Sequence, residues 1–392
     1  MRFLFINVDC GIGSTGRICS DLARELIKKG DEAVVAYGRG CLKNDFDISH
    51  RVGGRMNVLL HVIHSRVFDR SGFASTIATK KFIKWVEKYN PDVIHLHNIH
   101  GYWINVRVLF EYLKECGKKV FWTLHDCWPF TGHCAHFDYF LCNKWKTMCC
   151  NCGQLKEYPK SCLFDSSTRN YNEKKKLFCG VPNMTIITPS NWLAELVKQS
   201  FLGKYDVRVI HNGIDTQSFF KTESSFRQKY NLLQNKIVLG VASPWTKRKG
   251  LYDFIELSKL LPNSFSIVLV GLNKSQLSML PKNIIGIEKT NSVLELAAIY
   301  SSADVFFNPT YEDNYPTVNI EAQACGCPVV SYKTGGSPES CPIDQVVDKG
   351  DLPSALNVIL RDHFEILVRK DFSRKNMIEE YVRTYLSSDK AS

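Results

Sequence analysis

Acidic residues and glycines are concentrated in one stretch of the chain, PTYEDNYPTVNIEAQACGCPVVSYKTGGSPE, residues 309–339. Glu312 and Asp313 stand side by side before a short apolar run, and Glu321 opens a segment with helical character. The glycines and prolines around these acids allow the main chain to come close to a ligand. The stretch therefore predicts a binding loop that has carboxylates on both sides.

Three cations lie together in TKRKG, residues 246–250, between an apolar segment and a predicted helix. Positive charge at such a junction suits a diphosphate, because it stabilises the negative charge that develops on a leaving group. A solvated basic loop is the competing interpretation.

A glycine-rich turn, GIGSTGR at residues 11–17, follows the first apolar segment and precedes a predicted helix. Glycines let main-chain N–H groups approach a phosphate or a sugar, and a helix N-terminus favours anions. Gly11, Gly13 and Gly16 have the spacing of a dinucleotide-binding turn. No acid follows a second strand at the distance that a dinucleotide site requires, so we interpret the turn as a more general ligand-binding loop.

His125 and Asp126 begin HDCWPFTGHC, residues 125–134, directly after another apolar segment. Such a pair can donate a hydrogen bond to a ligand hydroxyl or move a proton. A structural histidine held by its neighbours is the competing interpretation, and the sequence leaves both open.

Seven of the fifteen cysteines fall within residues 127–162. Four of them have the spacing C-x7-C-x6-C-x2-C, and four thiolates can complete a tetrahedral site for a structural Zn²⁺. Reduced, buried thiols are the alternative, since this spacing is not that of a standard zinc ribbon. The predicted ligands are Cys134, Cys142, Cys149 and Cys152.

The composition is that of an ordinary soluble globular protein, with 44% hydrophobic and 23% charged residues. The 392 residues are enough for two domains. We expect no membrane span, because no window approaches about 20 uninterrupted apolar residues. We also expect no secretion signal, because Asp9 interrupts the short apolar N-terminus. Many cysteines without such a signal favour a reducing, cytoplasmic compartment.

Positive charge is concentrated in the first half of the chain. Residues 1–185 contain 27 Lys and Arg against 17 Asp and Glu, a net charge of +10 out of +11 for the whole chain. This imbalance favours an anionic partner, such as a phosphorylated substrate, an anionic membrane face or nucleic acid, over a merely solvated surface. Nucleic acid is disfavoured, because the spacings of RNA-recognition and zinc-finger modules are absent.

Apolar segments alternate with helical ones twice along the chain, which predicts an α/β fold with two doubly wound parallel sheets. Such sheets bind ligands outside the carboxyl ends of their strands. We expect two Rossmann-like domains that face each other across a cleft, and a C-terminal helix that packs back on the first domain. The predicted bounds are 1–205 for the first domain with a cysteine-rich insertion at 127–162, 206–372 for the second, and 373–392 for the returning segment. Polar residues cluster at the predicted strand ends, namely Asp9, His97, His125, Asp126, Asn212, Ser243 and Asn308.

Taken together, the motifs resemble the GT4 family of retaining glycosyltransferases, which have the GT-B fold. That family carries two acids with seven residues between them, here Asp313 and Glu321, followed by runs similar to EAQACGCPVV (321–330) and TGGSPE (334–339). The block from 122 to 159 is similar to a subgroup that builds bacterial surface polysaccharides. Further matches are PDVIHLHN (91–98), PSNW (189–192), VIHNGID (209–215), RKG (248–250) and YSSAD (300–304).

The resemblance implies a role for each of these residues. Glu321 binds the ribose of a nucleotide sugar, Asp313 binds hydroxyls of the transferred sugar, and Lys249 neutralises the diphosphate. His125 hydrogen-bonds the sugar from the first domain. The remaining donor-binding residues are expected to be Arg248, Glu312, Gly13 and the main chain of Thr317, Val318 and Asn319; the acceptor-side residues are Gly11, Gly16, Arg17 and Asp126.

Two positions depart from the family pattern. The first acid is usually Glu, and this chain has Asp313 with Glu312 just before it, so either can serve as the sugar-binding acid. The family also has an Arg five residues before the Lys of the KG pair. That position is Pro244 here, and Arg248 or Lys247 is expected to replace the missing charge.

The resemblance further implies front-face attack assisted by the departing phosphate, without a protein nucleophile or a catalytic metal. Catalysis then consists mainly of positioning and of charge stabilisation. Asp45-Phe46-Asp47 has the spacing of a metal-binding motif, but it lies in an irregular stretch that favours a surface loop. We expect no cofactor for catalysis and a UDP- or GDP-sugar as donor.

The expected acceptor is a lipid-linked glycan at the inner face of the cytoplasmic membrane, where the basic half of the chain can rest on anionic lipid. Segment RMNVLLHVIHSRVF (55–68) either lies in that interface or is an ordinary packed helix. Other functions compatible with the sequence are a sugar-nucleotide epimerase or hydrolase of the same fold, a basic zinc-containing binding protein, and a catalytically inactive scaffold.

Overall fold

The computed structural model describes residues 1–367 and 372–387. Within this part the chain forms two compact units, which divide after Ile210 and again before Ile378. Unit 1 contains residues 1–210 and the segment from Ile378 onward, and unit 2 contains His211–Met377. The first division falls a few residues beyond the bound at 205 that the sequence suggests, because a strand at 206–209 completes the first sheet. The second falls a few residues beyond 372, inside the last helix.

Unit 1 is built on a seven-stranded parallel sheet in the order β3-β2-β1-β4-β5-β6-β7. Its central strands are continuous apolar runs, as expected for strands that are covered on both faces. In β1, for example, Phe3, Leu4, Phe5 and Ile6 are all buried. The strands are β1 (Arg2–Asn7), β2 (Glu32–Tyr37), β3 (Ser49–Arg51), β4 (Val93–Leu96), β5 (Lys119–Thr123), β6 (Met184–Thr188) and β7 (Asp206–Val209).

Helices connect the strands of unit 1. Some begin at side-chain caps that the sequence supplies, such as Asn105, whose side chain accepts a hydrogen bond from the N–H of Val108. The helices are α1 (Gly13–Lys28), α2 (Arg55–Phe68), α3 (Thr76–Tyr89), α4 (Val106–Glu115), α5 (Ser167–Phe178) and α6 (Asn191–Gln199).

Unit 2 is built on a six-stranded parallel sheet in the order β10-β9-β8-β11-β12-β13. Successive residues of β8 enter different cores, since Val238 packs in one cluster while Ile237 and Leu239 pack in another. The sheet is therefore covered on both faces. The strands are β8 (Lys236–Val241), β9 (Phe265–Val270), β10 (Ile284–Ile287), β11 (Val305–Asn308), β12 (Val329–Tyr332) and β13 (Val346–Val347); the helices are α7 (Phe226–Lys229), α8 (Leu251–Leu260), α9 (Lys274–Met279), α10 (Val293–Ser302), α11 (Thr317–Ala324) and α12 (Leu352–Ile359).

The last helix, α13 (Arg374–Ser387), begins in unit 2, and its later turns belong to unit 1. Tyr381 and Tyr385 of these turns are fully buried. The Tyr385 hydroxyl lies 2.7 Å from His95 Nδ1, and the Tyr381 hydroxyl lies 3.2 Å from Thr123 Oγ1. The predictions of two doubly wound parallel sheets and of a returning C-terminal helix are thus confirmed.

One short segment differs from the expectation for it. Asp45 and Asp47 lie in a 3-10 helix, Lys43–Ile48, and both pair with Arg24, at 3.0 and 3.2 Å. Asp45 is only 5% exposed, so this segment is not a simple surface loop. Within the described ranges, no helix is long and apolar enough to cross a membrane.

Candidate functional site

Three neighbouring strands of unit 2 end beside one another, because β8, β11 and β12 are adjacent and parallel. The chain after each strand carries one of the motifs found in the sequence. TKRKG follows β8, the Glu312–Asp313 pair follows β11, and TGGSPE follows β12. Parallel strands bind ligands outside their carboxyl ends, so the sheet gathers the three motifs at a ligand-binding edge.

Each acid of the Glu312–Asp313 pair faces a cation of the TKRKG loop. Lys249 Nζ lies 2.6 Å from Asp313 Oδ2. Arg248 donates from Nη1 to the main-chain carbonyl of Glu312 at 3.3 Å, and its Nε lies 3.8 Å from Glu312 Oε2. Glu312 is only 4% exposed, whereas Asp313 is half-buried. Asp313 is therefore the more accessible of the two acids to a ligand.

Two glycines allow the loops to approach each other at this edge. A Cβ on Gly335 would lie 1.7 Å from the main-chain oxygen of Asp313, and the N–H of Gly336 donates to the same oxygen at 3.3 Å. A Cβ on Gly250 would lie 2.3 Å from the carbonyl oxygen of Pro309. Both glycines have positive φ angles, +54° and +74°, which other residues adopt at a cost. The glycines of the KG and TGG motifs are thus required because these positions combine a positive φ angle with no room for a Cβ.

Helix α11 begins directly after Pro316 and presents its first turn at the same edge. Thr317 and Val318 are half-buried, and the first N–H groups of a helix have no partner within the helix. The N–H of Asn319 instead donates to Pro316 O at 3.2 Å. The Asn319 side chain is fully buried and bonds to Asn308 and Ser340. Of the three predicted main-chain donors, Asn319 therefore has a structural role in the fold.

Glu321 lies one turn further along α11 and is half-buried. Its Oε2 accepts a hydrogen bond from the Tyr300 hydroxyl at 3.2 Å. Burial raises the pKa of Tyr300 well above its ordinary value, and the charge of Glu321 raises it further. Tyr300 therefore remains a neutral donor that orients the carboxylate.

Sequence reasoning gave no role to a further carboxylate of this unit. Glu339, the acid of TGGSPE, has its Oε2 3.2 Å from His211 Nε2, and the His211 ring stacks on Tyr315 at 4.9 Å. His211 belongs to VIHNGID, a motif that the sequence matched without giving it a role. In the same loop, the buried hydroxyls of Thr334 and Ser337 have no hydrogen-bond partner among the described residues.

In unit 1 the glycine-rich turn forms the predicted connection between β1 and α1. Gly11 is closed over by Asp45, since a Cβ there would lie 1.9 Å from Asp45 Oδ2. The carbonyl of Gly16 accepts the N–H of Gly11 at 3.0 Å, so both residues shape the turn. Gly13, with φ +66°, has open space around it, and Arg17 is exposed. Gly13 is thus the glycine of the turn that leaves room for a ligand.

His125 follows β5 and lies beside His97, which follows β4. Their nearest ring nitrogens, His97 Nδ1 and His125 Nε2, are 3.0 Å apart, and the rings stack with centroids 5.3 Å apart. Burial lowers the pKa of His125 to about 4 and that of His97 well below its ordinary range. Both rings are therefore neutral at physiological pH and can act as hydrogen-bond partners rather than as cations.

The Asp126 carboxylate is hydrogen-bonded to other residues of unit 1. Its Oδ2 lies 2.8 Å from His100 Nε2, and its Oδ1 accepts the N–H of Trp128 at 2.9 Å. Burial alone would raise the pKa of Asp126, but the charge and hydrogen bond of His100 lower it to about 2. His100 in turn bonds to the Tyr158 hydroxyl. These contacts give the buried carboxylate a structural task, and an acceptor-side role for it stays a prediction.

All fifteen cysteines are free thiols. Cys134 and Cys149 are buried, and Cys142 and Cys152 are half-buried. A hydrogen bond between two of these thiols raises the pKa of Cys134 well above its ordinary value and lowers that of Cys152 to about 6. In the described ranges, no three or more His, Cys, Asp or Glu side chains are grouped closely enough to hold a metal ion. Zinc binding at these cysteines therefore stays a prediction.

The predicted site residues thus form two groups, one at the strand ends of each unit. The parts of the chain that contain these groups are both similar to known proteins. Residues 15–166 match the family model described as Glycosyltransferase Family 4, and residues 235–361 match that described as Glycosyl transferases group 1. The putative colanic acid biosynthesis glycosyl transferase WcaC of Escherichia coli K12 is 25% identical over 98% of this chain and 99% of its own length. The processive diacylglycerol alpha-glucosyltransferase of Acholeplasma laidlawii is 32% identical over 37% of this chain and 47% of its own length.

Solved structures resemble the whole chain. HepE from Anabaena, solved in complex with UDP, has a TM-score of 0.68 at 15% identity and covers 99% of this chain and 100% of HepE. WaaG, a glycosyltransferase involved in lipopolysaccharide biosynthesis, has a TM-score of 0.59 at 14% identity over 100% of this chain and 96% of WaaG. These likenesses show the GT-B fold. Because the two family models match both halves of the chain, this protein belongs to the family 4 glycosyltransferases that its motifs resemble.

Proposed function

We propose that the chain transfers a hexosyl residue from a nucleotide sugar to a lipid-linked glycan during the synthesis of a surface polysaccharide. The pairing of Lys249 with Asp313 at 2.6 Å, beside the first turn of α11, is the observation that carries this proposal. A lysine, a carboxylate and free helix N–H groups together recognise an anionic diphosphate and the hydroxyls of a sugar.

In this proposal each side chain of the unit 2 site has one task. Lys249 and Arg248 bind the diphosphate, and the N–H groups of Thr317 and Val318 add main-chain donors. Asp313 accepts hydrogen bonds from the hydroxyls of the transferred sugar. Glu321, oriented by Tyr300, accepts those of the ribose. The low exposure of Glu312 supports Asp313 as the first acid.

In unit 1, His125 is proposed to hydrogen-bond a sugar hydroxyl, and Gly13 to leave room for the ligand. The neutrality of His125 supports this role, because a neutral ring nitrogen can donate to or accept from a hydroxyl. Gly11 and Gly16 shape the turn that holds Gly13, and Arg17 is proposed to meet the acceptor.

The proposed reaction proceeds with retention of configuration and without a catalytic metal. The departing diphosphate assists attack from its own face, so no protein nucleophile is required. Positive charge that a metal would otherwise supply comes from Lys249 and Arg248, which lie at the site before any ligand arrives. Catalysis then consists of positioning and of stabilising the leaving group.

The donor is proposed to be a UDP- or GDP-sugar and the acceptor a lipid-linked glycan at the inner face of the cytoplasmic membrane. WcaC and the capsular polysaccharide enzyme CapM of Staphylococcus aureus, which is 24% identical over 46% of this chain and 51% of its own length, support a polysaccharide product. The complex of HepE with UDP-glucose supports a nucleotide-sugar donor.

The first test is donor binding. The purified chain is presented with UDP-, GDP-, ADP- and CMP-sugars, and bound ligand is detected by saturation-transfer NMR. We expect one nucleotide sugar to bind, and Glu321→Ala to weaken that binding by roughly tenfold or more, because a charged partner of the ribose is lost. Glu256→Ala removes an exposed acid of α8 and serves as the control, with no change expected.

If none of the sugars binds to the folded chain, or if both variants bind equally well, the assignment of the unit 2 site is wrong. If a nucleotide sugar does bind, turnover separates the remaining candidates. A transferase releases nucleotide only when an acceptor is present, whereas a hydrolase or an epimerase converts the donor alone. A chelator such as EDTA is expected to leave the rate unchanged, and a loss of rate that added divalent metal restores would contradict metal-independent catalysis.

A further inference from the structure

Helix α2 of unit 1 has its apolar side chains on the outside. Met56, Leu59, Leu60 and Ile63 recur at helical spacing and form one stripe. Their exposures are 65, 52, 59 and 51%, which are high for side chains of this size. An amphipathic helix of a globular protein normally turns such a stripe toward the core.

The opposite face of α2 explains why the stripe points outward. The two fully buried residues of this helix are polar, His61 and Ser65. His61 Nδ1 lies 2.8 Å from the Ser75 hydroxyl, and its Nε2 accepts the N–H of Gly72 at 3.1 Å. These bonds attach the polar face of α2 to the chain that leads into α3. The helix is therefore fixed in the orientation that leaves its apolar face in solvent.

A second segment extends this exposed surface. The N–H of Cys162 donates to Arg66 O at 2.7 Å and that of Phe164 to Val67 O at 3.3 Å, which aligns residues 162–164 with the end of α2. The rings of Phe68 and Phe164 stack at 5.8 Å. Phe68, Leu163 and Phe164 are 47, 72 and 53% exposed. We call the set Met56, Leu59, Leu60, Ile63, Phe68, Leu163 and Phe164 the α2 surface.

Cations border the α2 surface. Arg55 and Arg66 are exposed and form no ion pair with any described residue, and α2 contains no acid. The next helix, α3, exposes Ile77 together with Lys80, Lys81, Lys84 and Lys88. The exposed acids close by are Glu87, on α3 itself, and Asp165, whose carboxylate accepts the N–H groups of Cys152 and Ser167.

A cavity of about 530 Å³ opens beside Phe68 and Phe164. Its two arginines, Arg70 and Arg169, are both paired with Glu173, at 2.7 and 2.8 Å. A single carboxylate does not balance both positive charges, but both guanidinium groups are already engaged with it, and Arg70 also donates to Asn170 Oδ1 at 2.7 Å. The cations that are available to a partner are those on the rim of the α2 surface, Arg55 and Arg66.

We propose that the α2 surface docks the protein on an anionic phospholipid bilayer, with α2 lying in the plane of the interface. The apolar stripe and the exposed aromatic rings enter the boundary between headgroups and acyl chains, while Arg55, Arg66 and the lysines of α3 bind lipid phosphates. A second copy of the chain fits less well, because pairing two such surfaces brings cationic rims together. The inference deepens the proposed function, whose acceptor is lipid-linked, but it stands on this surface alone.

Flotation with large unilamellar vesicles tests the proposal without any donor or acceptor. We expect the full chain to bind phosphatidylcholine vesicles that contain phosphatidylglycerol as about a third of the lipid, and to bind pure phosphatidylcholine far less. Leu60→Ser combined with Ile63→Ser is expected to reduce the partition coefficient by roughly 100-fold, because two large apolar side chains no longer leave water. Arg55→Gln combined with Arg66→Gln is expected to reduce it by roughly fivefold per arginine at low salt.

The matched control is Leu233→Ser combined with Leu294→Ser. These leucines of unit 2 are 60 and 59% exposed, against 59 and 51% for Leu60 and Ile63, and lie outside the α2 surface. The control is expected to bind vesicles like the unchanged chain, and all variants to keep its thermal unfolding temperature.

Three results would overturn the proposal. These are absence of vesicle binding by the unchanged chain, equal losses in the α2 and control variants, and a dimer that the α2 variant converts to a monomer without any lipid binding. Because donor binding is measured without lipid, failure of this proposal and failure of the unit 2 site are told apart directly.

Discussion

At the scale of single residues, Lys249 is the cation of unit 2 that we expect to contribute most to stabilising the leaving diphosphate. It makes the shortest contact between a cation and an acid in the TKRKG loop, 2.6 Å to Asp313, and it is only 25% exposed. We expect Lys249→Met to lower kcat/KM by roughly 100- to 1000-fold, as removal of a group that stabilises developing charge does. The rate is measured with the sugar nucleotide identified by the binding panel.

Lys259→Met is the control for this variant, because Lys259 lies on α8 and, among the described residues, pairs only with exposed Glu256. Both variants should unfold at the same temperature as the unchanged chain. A Lys249→Met enzyme that keeps nearly all its activity would show that Arg248 alone suffices for the diphosphate.

Residue types indicated which side chains could take part in binding or catalysis. They did not indicate which of these side chains are already hydrogen-bonded within the protein. The family resemblance gave Asp126 an acceptor-side role, which stays a prediction. The structure buries it in a pair with His100, a residue 26 positions away. His211 was missed for the converse reason, since its partner Glu339 lies 128 residues further along the chain. Spacing along the sequence carries no record of such pairs.

At the scale of elements, the TGG turn after β12 determines where Asp313 lies. We expect Gly335→Ala to weaken donor binding by roughly tenfold or more and to lower the free energy of unfolding by about 1–3 kcal/mol. The reason is that its Cβ would meet the main-chain oxygen of Asp313 at 1.7 Å. NMR titration of the donor and chemical denaturation measure the two effects.

Gly350→Ala is the control that distinguishes the steric clash of a Cβ from the cost of a positive φ angle. Gly350 has φ +82°, but the nearest atom to its Cβ would be the Tyr311 hydroxyl at 3.5 Å, an ordinary contact. The Gly350→Ala variant should have a lower free energy of unfolding and should bind the donor like the unchanged chain. Equal losses of binding in both glycine variants would mean that the TGG turn is not specifically coupled to the site.

Helix α2 shows where periodicity stops being informative. Its stripe of apolar residues correctly indicates an amphipathic helix, and by itself favours burial of that stripe. The orientation is decided by hydrogen bonds of His61 to Ser75 and Gly72, which lie outside the helix. Parallel strands were easier to predict, because continuous apolar runs such as RFLFIN have no alternative to burial on both faces.

At the scale of the whole molecule, the end of the chain stabilises its beginning. Tyr385 lies 290 residues from His95, and its hydroxyl is 2.7 Å from the buried Nδ1 of that histidine. We expect Tyr385→Phe to destabilise unit 1 by about 1–3 kcal/mol, because it leaves a buried polar atom without that bond. Hydrogen exchange of the β4 and β5 amides measures unit 1 separately from unit 2.

Tyr252→Phe, which alters a half-exposed tyrosine of α8, is the control and should change neither unit. Unchanged exchange rates in Tyr385→Phe would mean that ring packing against Phe3 and Phe121, rather than the hydrogen bond, holds the last helix in place. The sequence indicated that a helix returns to the first domain, but not that its tyrosines reach a histidine inside the sheet.

The ion pair between Lys249 and Asp313 also affects which anions can bind at the unit 2 site. A free anion that carries no hydrogen-bond donor, such as sulfate, can take the lysine only by separating it from its carboxylate, and it returns no hydrogen-bond donor to Asp313. A sugar diphosphate exchanges both partners at once, giving the lysine an anion and the aspartate a hydroxyl. The internal ion pair thus acts as a competitor that such anions must displace at a loss, and it gives unit 2 a means of discriminating against small anions that bring no donor.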